Sequence, residues 1–242
     1  MADGAVRPVA PLRQRARRAT DVELRRVTWL PLLTAAQRER VQEAVDVVDA
    51  GPGDFVCKIG RPPSYWFGVL EGLLKMSNDS SVGASITYTG LPPGAWFGEG
   101  TLLKREPYRY NIEPLRTSLV AGLPLADFHW LLECSIPFNR FVMNQLNERL
   151  GQFIAARETD RMNNPDLRVA RSLAALFNPV LYPGVGQVLR ITQQELAYLV
   201  GLSRQRVNEA LAALQAQGLI RTEYGGLRIL DLQALRSSLF SR

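Results

Sequence analysis

The stretch ITQQELAYLVGLSRQRVNEALAALQAQGLI, residues 191 to 220, decides the fold of the carboxyl-terminal part of this 242-residue chain. Thr192 and Glu195 form a capping-box pattern, which predicts the start of a short first helix. Gly201 then permits a sharp turn, and Ser203 is a good N-cap for a second helix. The pattern therefore predicts two short helices that meet at a tight angle.

The spacing of small and apolar residues in this stretch is typical of a helix-turn-helix. Ala197 is small where the two helices touch, Gly201 is free to turn, and Val207 packs the second helix back on the first. The next residues, RTEYGGLRIL at 221–230, place two strand-like runs around Gly225-Gly226, which predicts a hairpin, or wing. The alternative is an ordinary helical hairpin in an interaction domain.

In helix-turn-helix geometry the first turn of the second helix enters the major groove of DNA. Arg204 is then the natural reader of a guanine. The predicted base contacts are Arg204, Gln205, Asn208 and Glu209. The predicted phosphate contacts are Thr192, Gln193, Gln194, Ser203 and Arg206.

The net charge of +6 is unevenly distributed. Residues 1–20 and 165–242 each carry +4, whereas residues 21–164 carry −2. A basic segment next to a mildly acidic one suits contact with phosphates, which supply most of the affinity for nucleic acid. A solvated basic face would give the same numbers, so charge alone leaves both interpretations open.

The rest of the chain divides by pattern into three more segments. Residues 1–26 are rich in Arg, Ala and Pro and are expected to form a disordered basic arm. Within 27–135, a helix is predicted from the capping box at Thr34 to about Val48, followed by short apolar runs separated by Gly and Pro. Such runs favour an antiparallel sandwich or barrel.

Apolar residues with a spacing of three and four predict one long helix over 136–162. A stripe of this kind between two domains is typical of a partner interface or of packing on the sheet, and a parallel pair of such helices would give a dimer. Its predicted members are Phe141, Val142, Leu146, Leu150, Phe153 and Ile154. Asn164 and Pro165 then restart a helix, so Asn163 to Pro165 is a candidate hinge in front of a DNA-binding domain over 163–242.

Composition excludes several classes of protein. No apolar run is long enough to span a membrane and the amino terminus lacks the apolar part of a secretory signal, so a cytoplasmic location is expected. Cys57 and Cys134 do not form a metal-ligand set, and the single His129 is a poor candidate for a haem ligand, so no metal or iron–sulfur site is predicted. Glu99, Glu113, Asp127 and His129 show no nucleophile–base spacing, which argues against an enzyme.

The sequence resembles the Crp/Fnr family of bacterial transcription regulators over about residues 27–230. The resemblance depends on two motifs. One is the helix-turn-helix, and the other is PPGAWFGEGTLLKREPYRYN at 92–111, which looks like the phosphate-binding cassette of a cyclic-nucleotide-binding β-roll. The resemblance implies an α+β fold with an N-terminal β-roll (jelly roll), a long dimerisation helix and a C-terminal winged helix-turn-helix. It also implies a homodimer on a palindromic double-stranded DNA site, allosteric control by an effector, and RNA polymerase as a partner.

In such a cassette Gly98, Glu99 and Arg109 stand where a phosphate and a ribose are held. Tyr110 and Asn111 replace the small residues of cyclic-AMP-binding members, and the long helix presents Phe153 and Ile154 instead of hydroxyls. The expected effector pocket therefore comprises Gly98, Glu99, Arg109, Tyr110, Asn111, Phe153 and Ile154.

These departures favour a nucleotide or other small effector that is not cyclic AMP bound in the usual mode. A cyclic-AMP-responsive regulator and an effector-independent one with a vestigial pocket stay open as alternatives, as does a stand-alone sensor. Arg109 has a second interpretation, a structural ion pair with Glu99.

Overall fold

The amino-terminal half folds as two antiparallel sheets around an apolar interior. The structure, a computed structural model, describes residues 12–79, 85–161 and 164–237. In chain order the strands of this half are Arg17–Arg18 (β1), Asp46–Ala50 (β2), Tyr65–Glu71 (β3), Leu74–Asp79 (β4), Ser85–Leu91 (β5), Trp96–Phe97 (β6), Asn111–Pro114 (β7) and Ser118–Pro124 (β8). One sheet has the order β1-β2-β8-β3-β6 and the other the order β5-β4-β7.

Helices pack against the larger sheet, most of them on its outer face. They are Leu12–Arg15 (α1), Asp21–Leu24 (α2), Ala35–Ala44 (α3), Glu99–Lys104 (α4), Leu125–Cys134 (α5) and Ile136–Asp160 (α6), with a short 3₁₀ turn at Leu30–Leu32. The sheet residues Trp66 and Trp96 pack here against Trp29 and Phe138, with ring centroids 4.5 to 5.5 Å apart. Close aromatic packing of this kind stabilises the fold beyond the burial of apolar area.

The carboxyl-terminal half is the predicted winged helix-turn-helix. It contains Pro165–Leu176 (α7), Val188–Leu189 (β9), Gln193–Val200 (α8), Arg204–Ala216 (α9), Ile220–Glu223 (β10), Gly226–Ile229 (β11) and Leu232–Ser237 (α10). The capping box at Thr192 forms as predicted, and Gly201 ends α8 with a φ of 65°, a conformation that glycine adopts without strain. Strands β10 and β11 form the wing.

The long helix is one continuous element of 25 residues, α6, as the periodicity predicted. Asn164 caps α7, and its side chain accepts hydrogen bonds from the backbone N–H groups of Asp166 and Leu167. Residue 163 of the candidate hinge lies outside the described residues. No helix in the described ranges is both long enough and apolar enough to cross a membrane.

The prediction of a disordered arm was wrong from residue 12 onward, while residues 1–11 lie outside the described part. Strand β1 pairs with β2, which holds the chain on the roll. Arg15 forms an ion pair with Asp54 at 2.7 Å, and Arg17 forms one with Glu23 at 2.6 Å. Composition indicated a basic segment, but it could not show that carboxylates of the roll lie opposite these arginines.

The helix predicted to run from Thr34 to about Val48 ends earlier, at Ala44. Its capping box forms, but Val45 already has extended backbone and the next five residues form β2. Pairing of β2 with β8 is a long-range interaction, and it overrides the helical pattern that continues in the sequence.

Candidate DNA interface and effector cassette

Helix α9 separates its residues by burial as the helix-turn-helix pattern predicts. Its inward face consists of Val207, Ala210, Leu211 and Leu214, all buried in the apolar core of the carboxyl-terminal half. Arg204, Gln205 and Glu209 are exposed on the opposite side, and Asn208 is half-buried. The first turn of α9 therefore presents polar side chains of the kinds that read base edges.

Three of the predicted DNA contacts on α9, Gln205, Arg206 and Glu209, bond to other side chains of the protein. Arg206 forms an ion pair with Asp166 of α7 at 2.6 Å and another with Glu209 at 3.3 Å. Gln205 donates a hydrogen bond to Glu209 at 3.3 Å. In the described part of the chain Arg204 has no ion pair, so it is the freest cation of this helix for DNA.

The predicted phosphate contacts at the helix starts serve as caps. The hydroxyl oxygens of Thr192 and Ser203 accept hydrogen bonds from the backbone N–H groups of Glu195 and Arg206. Gln193 is half-buried and Gln194 is exposed. Tyr224, which no motif in the sequence singles out, is fully exposed at the tip of the wing, on the turn between β10 and β11.

The cassette glutamate is buried and paired with a residue of the long helix. Glu99 is 2% exposed, and its Oε1 lies 3.1 Å from Nε of Arg149. Arg149 also donates a hydrogen bond to the backbone carbonyl of Trp96 at 2.7 Å. Burial alone would lower the pKa of Arg149, but the attraction of Glu99, with smaller contributions from Tyr182 and Tyr110, raises it.

Arg149 was missed by the sequence analysis. Its partner is 50 residues away in the chain, which no local pattern reports. The available signal was a charged residue on the same face of α6 as Val142, a position that is buried only if its charge has a partner.

Arg109 does not enter the cassette. Its side chain is 77% exposed and forms an ion pair with Glu106 at 2.7 Å, three residues earlier. The ion pair with Glu99 that the sequence left open is not formed, and Glu99 pairs with Arg149 instead. Arg109 thus pairs with Glu106, its neighbour in the sequence, and not with the buried Glu99.

The remaining pocket residues divide into two groups. Tyr110 and Phe153 are partly buried and pack against the interior of the roll, and burial raises the pKa of the Tyr110 phenol above its usual value. Asn111 is structural, since its side-chain oxygen accepts a hydrogen bond from the backbone of Ile59. Ile154 is 55% exposed and contributes nothing to this interior.

A loop from the other half of the chain completes this interior. Leu181 and Tyr182 are fully buried in the same apolar group as Phe97 and Ile112 of the roll. The Tyr182 hydroxyl donates to the side chain of Gln152 on α6. The cassette region is therefore packed with protein side chains from three parts of the sequence.

Most of the predicted dimer stripe on α6 packs on the chain's own roll. Val142 is 2% exposed, and Phe141, Leu146 and Phe153 pack against buried groups of the roll. Of the predicted six, only Leu150 and Ile154 are exposed. The exposed apolar residues of the helix are Ile136, Met143, Leu150 and Ile154.

Both faces of α6 carry apolar residues at helical spacing, so periodicity alone could not decide which face was free. The exposed four recur at intervals of seven, seven and four residues, the spacing of a coiled-coil seam. Exposed Arg140 and Asn147 complete the same line.

The two halves of the chain are joined by a polar clamp and an apolar contact. Arg116, between β7 and β8, forms an ion pair with Glu195 at 2.6 Å and donates to the carbonyl of Arg190 at 2.7 Å. Glu195 is also the capping-box residue of α8. A side chain added at Gly90 of β5 would collide with Leu199 of α8, so the roll touches the helix-turn-helix directly.

The fold and the exposed α9 define a DNA-binding regulator of the winged-helix class. Residues 47–134 match the family model of the cyclic nucleotide-binding domain, and residues 167–238 match that of the Crp-like helix-turn-helix domain. In the described ranges, no group of three or more His, Cys, Asp and Glu could hold a metal ion.

Named relatives match most of the chain. The transcriptional regulator SdrP of Thermus thermophilus is 30% identical over 205 residues, which cover 81% of this chain and 96% of the relative. The cAMP-activated global transcriptional regulator CRP of Haemophilus influenzae is 25% identical over 66% of this chain and 73% of its own. The structure of FixK2 from Bradyrhizobium japonicum shares the fold, with a TM-score of 0.63 at 15% identity over 80% of this chain and 96% of that one.

The chain belongs to the Crp/Fnr family of transcription regulators. The predicted family and the predicted α+β fold class are thereby confirmed.

Proposed function

We propose that this protein is a homodimeric transcription regulator that reads a palindromic DNA site. The observation that carries the proposal is the combination of an exposed first turn on α9 with an unpartnered apolar seam on α6. Two copies joined along such a seam present two α9 helices related by a dyad. Recognition helices about 34 Å apart then meet two half-sites one helical turn apart.

Base reading falls to the exposed side chains of α9. Arg204 is free to pair with a guanine through two hydrogen bonds, and Gln205 and Asn208 can pair with adenine. Glu209 accepts hydrogen bonds from Gln205 and Arg206 and therefore positions these two neighbours. Its carboxylate can also accept a hydrogen bond from a cytosine. Gln194 and the backbone N–H groups at the starts of α8 and α9 meet phosphates.

The roll would control DNA binding allosterically, but not through cyclic AMP in the usual mode. One oxygen of the cassette carboxylate already holds Arg149, Tyr110 and Tyr182 lie near the pair, and Phe153 packs on the same apolar interior. A nucleotide would have to displace packed side chains, which costs free energy that an open pocket does not demand. A regulator of this kind works in the cytoplasm and has RNA polymerase as its partner, as the family implies.

Selection from a randomised duplex pool at fixed salt, with and without saturating cyclic AMP, tests the proposal. The expected result is the same palindrome in both selections. A palindrome obtained only with cyclic AMP identifies a cyclic-AMP-responsive regulator. If no sequence is enriched, the proposed sequence-specific binding to DNA is contradicted. The matched control is the Arg204→Ala variant, which should select a site degenerate at one position in each half.

The filled cassette has its own test in Tyr110→Ser. Removing the phenol leaves the Glu99–Arg149 pair and Tyr182 in place, so calorimetry should detect no gain in cyclic AMP affinity. Binding that arises from this single change would show that the phenol alone blocks the cassette.

A further inference from the structure

A cavity lies in the β-roll, apart from the cassette. Its volume is about 600 Å³, within the range of small-molecule sites, and Glu99, Arg149, Tyr110 and Phe153 do not line it. Its walls include Val48, Tyr65, Phe67, Tyr108 and Val120. Ala16 of the amino-terminal segment also lines it, so this segment forms part of its rim.

The walls are mainly apolar and aromatic. Tyr65 and Phe67 lie with ring centroids 5.8 Å apart, and Tyr108 faces the same cavity. Cys57 contributes an uncharged wall, because burial raises the pKa of its thiol to about 12. Aromatic faces and edges arranged in this way suit a flat aromatic ring.

Two carboxylates and two cations line the cavity, but among the residues that the structure describes only the carboxylates have ion-pair partners. Asp46 and Asp54 line it, but each is paired with an arginine of the amino-terminal segment, at 3.2 and 2.7 Å respectively. Lys58 and Arg61 line it too, both exposed, and no carboxylate of the described residues lies within ion-pair distance of either. The Lys58 ammonium rests over the ring of Phe55 at 4.7 Å. Two unpaired cations beside an aromatic cavity suit an anionic group.

We infer that this cavity is a ligand site for an aromatic carboxylate. The ring lies among Tyr65, Phe67 and Tyr108, and the carboxylate pairs with Arg61 and Lys58, since a guanidinium can bind a carboxylate through two hydrogen bonds. The inference goes beyond the proposed function, because binding here requires neither the cassette nor DNA.

Tyr108 connects this cavity to the cassette. Tyr108 lines the cavity, and its ring centroid is 6.0 Å from that of Tyr110, which packs beside the Glu99–Arg149 pair. The backbone of Tyr108 also exchanges hydrogen bonds with Gly60 and Arg61, which hold the cavity's cationic loop. A bound ring therefore contacts the same short segment that fills the effector cassette.

Titration calorimetry of the full chain with 2-naphthoate tests the inference, and 2-naphthamide serves as the uncharged comparison. The expected result is binding of 2-naphthoate, with at least about tenfold weaker binding of the amide. Arg61→Gln should weaken binding of 2-naphthoate about tenfold, whereas Lys104→Gln, an exposed lysine on α4 outside the cavity, should leave it unchanged.

Two results would overturn the inference: no binding of 2-naphthoate, or equal affinity of Arg61→Gln and the parent chain. Val48→Phe adds an independent check by filling the cavity from its wall, with a thermal melt to verify folding. Because Arg61 is a surface residue, its variant keeps the test decisive if Val48→Phe does not fold. Binding to the selected duplex is measured separately, so a failed ligand site leaves the proposed DNA reading standing.

Discussion

Replacing Leu150 with alanine tests the exposed seam of α6 quantitatively. Leu150 is 59% exposed in the single chain, and complete burial of a leucine is worth roughly 1.5–3 kcal/mol. A partner that covers the exposed part therefore gains about 1–2 kcal/mol per copy, of which alanine keeps a small share. The dyad places two copies in the interface, so Leu150→Ala should weaken dimerisation by about 2 kcal/mol, or about 30-fold in the dissociation constant.

Sedimentation equilibrium over a concentration series measures this constant. Leu103→Ala is the matched control, because Leu103 is 41% exposed on α4, outside the seam, and should leave the constant unchanged. The reasoning is refuted if Leu150→Ala dimerises as tightly as the parent chain, or if both leucine variants lose the same amount.

Three further changes test other parts of the account. Arg204→Ala should cost about 1–3 kcal/mol at one base position of each half-site, measured by competition with base-substituted duplexes; equal loss on every sequence would make Arg204 a phosphate contact. Arg116→Ala leaves Glu195 buried without its cation and should lower the free energy of unfolding by about 1–3 kcal/mol in urea titrations; an unchanged midpoint contradicts the clamp. Hydrogen bonding from Arg17 lowers the pKa of Glu23 to about 2, so the stability that Glu23 adds is complete above its ordinary pKa and is lost as pH falls toward 2. Glu23→Gln, which removes this carboxylate from the capping box of α2, should therefore cost about 1 kcal/mol at pH 7 and progressively less below pH 4.5; a constant difference across that range opposes this interpretation.

The winged helix-turn-helix was predictable from sequence because its signals are local. Capping at Thr192, the turn at Gly201 and the hairpin at Gly225 each depend on residues within a few positions of one another. The end of α3 was not predictable in this way, because pairing of β2 with β8 across the chain decided it.

The cassette shows why a motif did not suffice to place a site. The sequence singles out Glu99 as a candidate, but its partner is set by where α6 crosses the roll, and that partner is Arg149. Arg109 was free to pair with Glu106, three residues away. A local pattern identifies candidate side chains, while tertiary packing decides which of them meet.

Long-range packing also decided which face of α6 is free. Val142 and Leu150 both fit a helical stripe, and only the position of the roll makes one buried and the other exposed. The seam that supports a dimer is thus a property of the folded chain.

Hydroxyl-radical footprinting on the selected duplex tests the central claim most directly. A dimer that presents two α9 helices predicts two protected regions, related by the dyad of the site and centred about 34 Å apart, which is one turn of DNA. A single protected half-site, or two regions arranged as a direct repeat, would contradict the account.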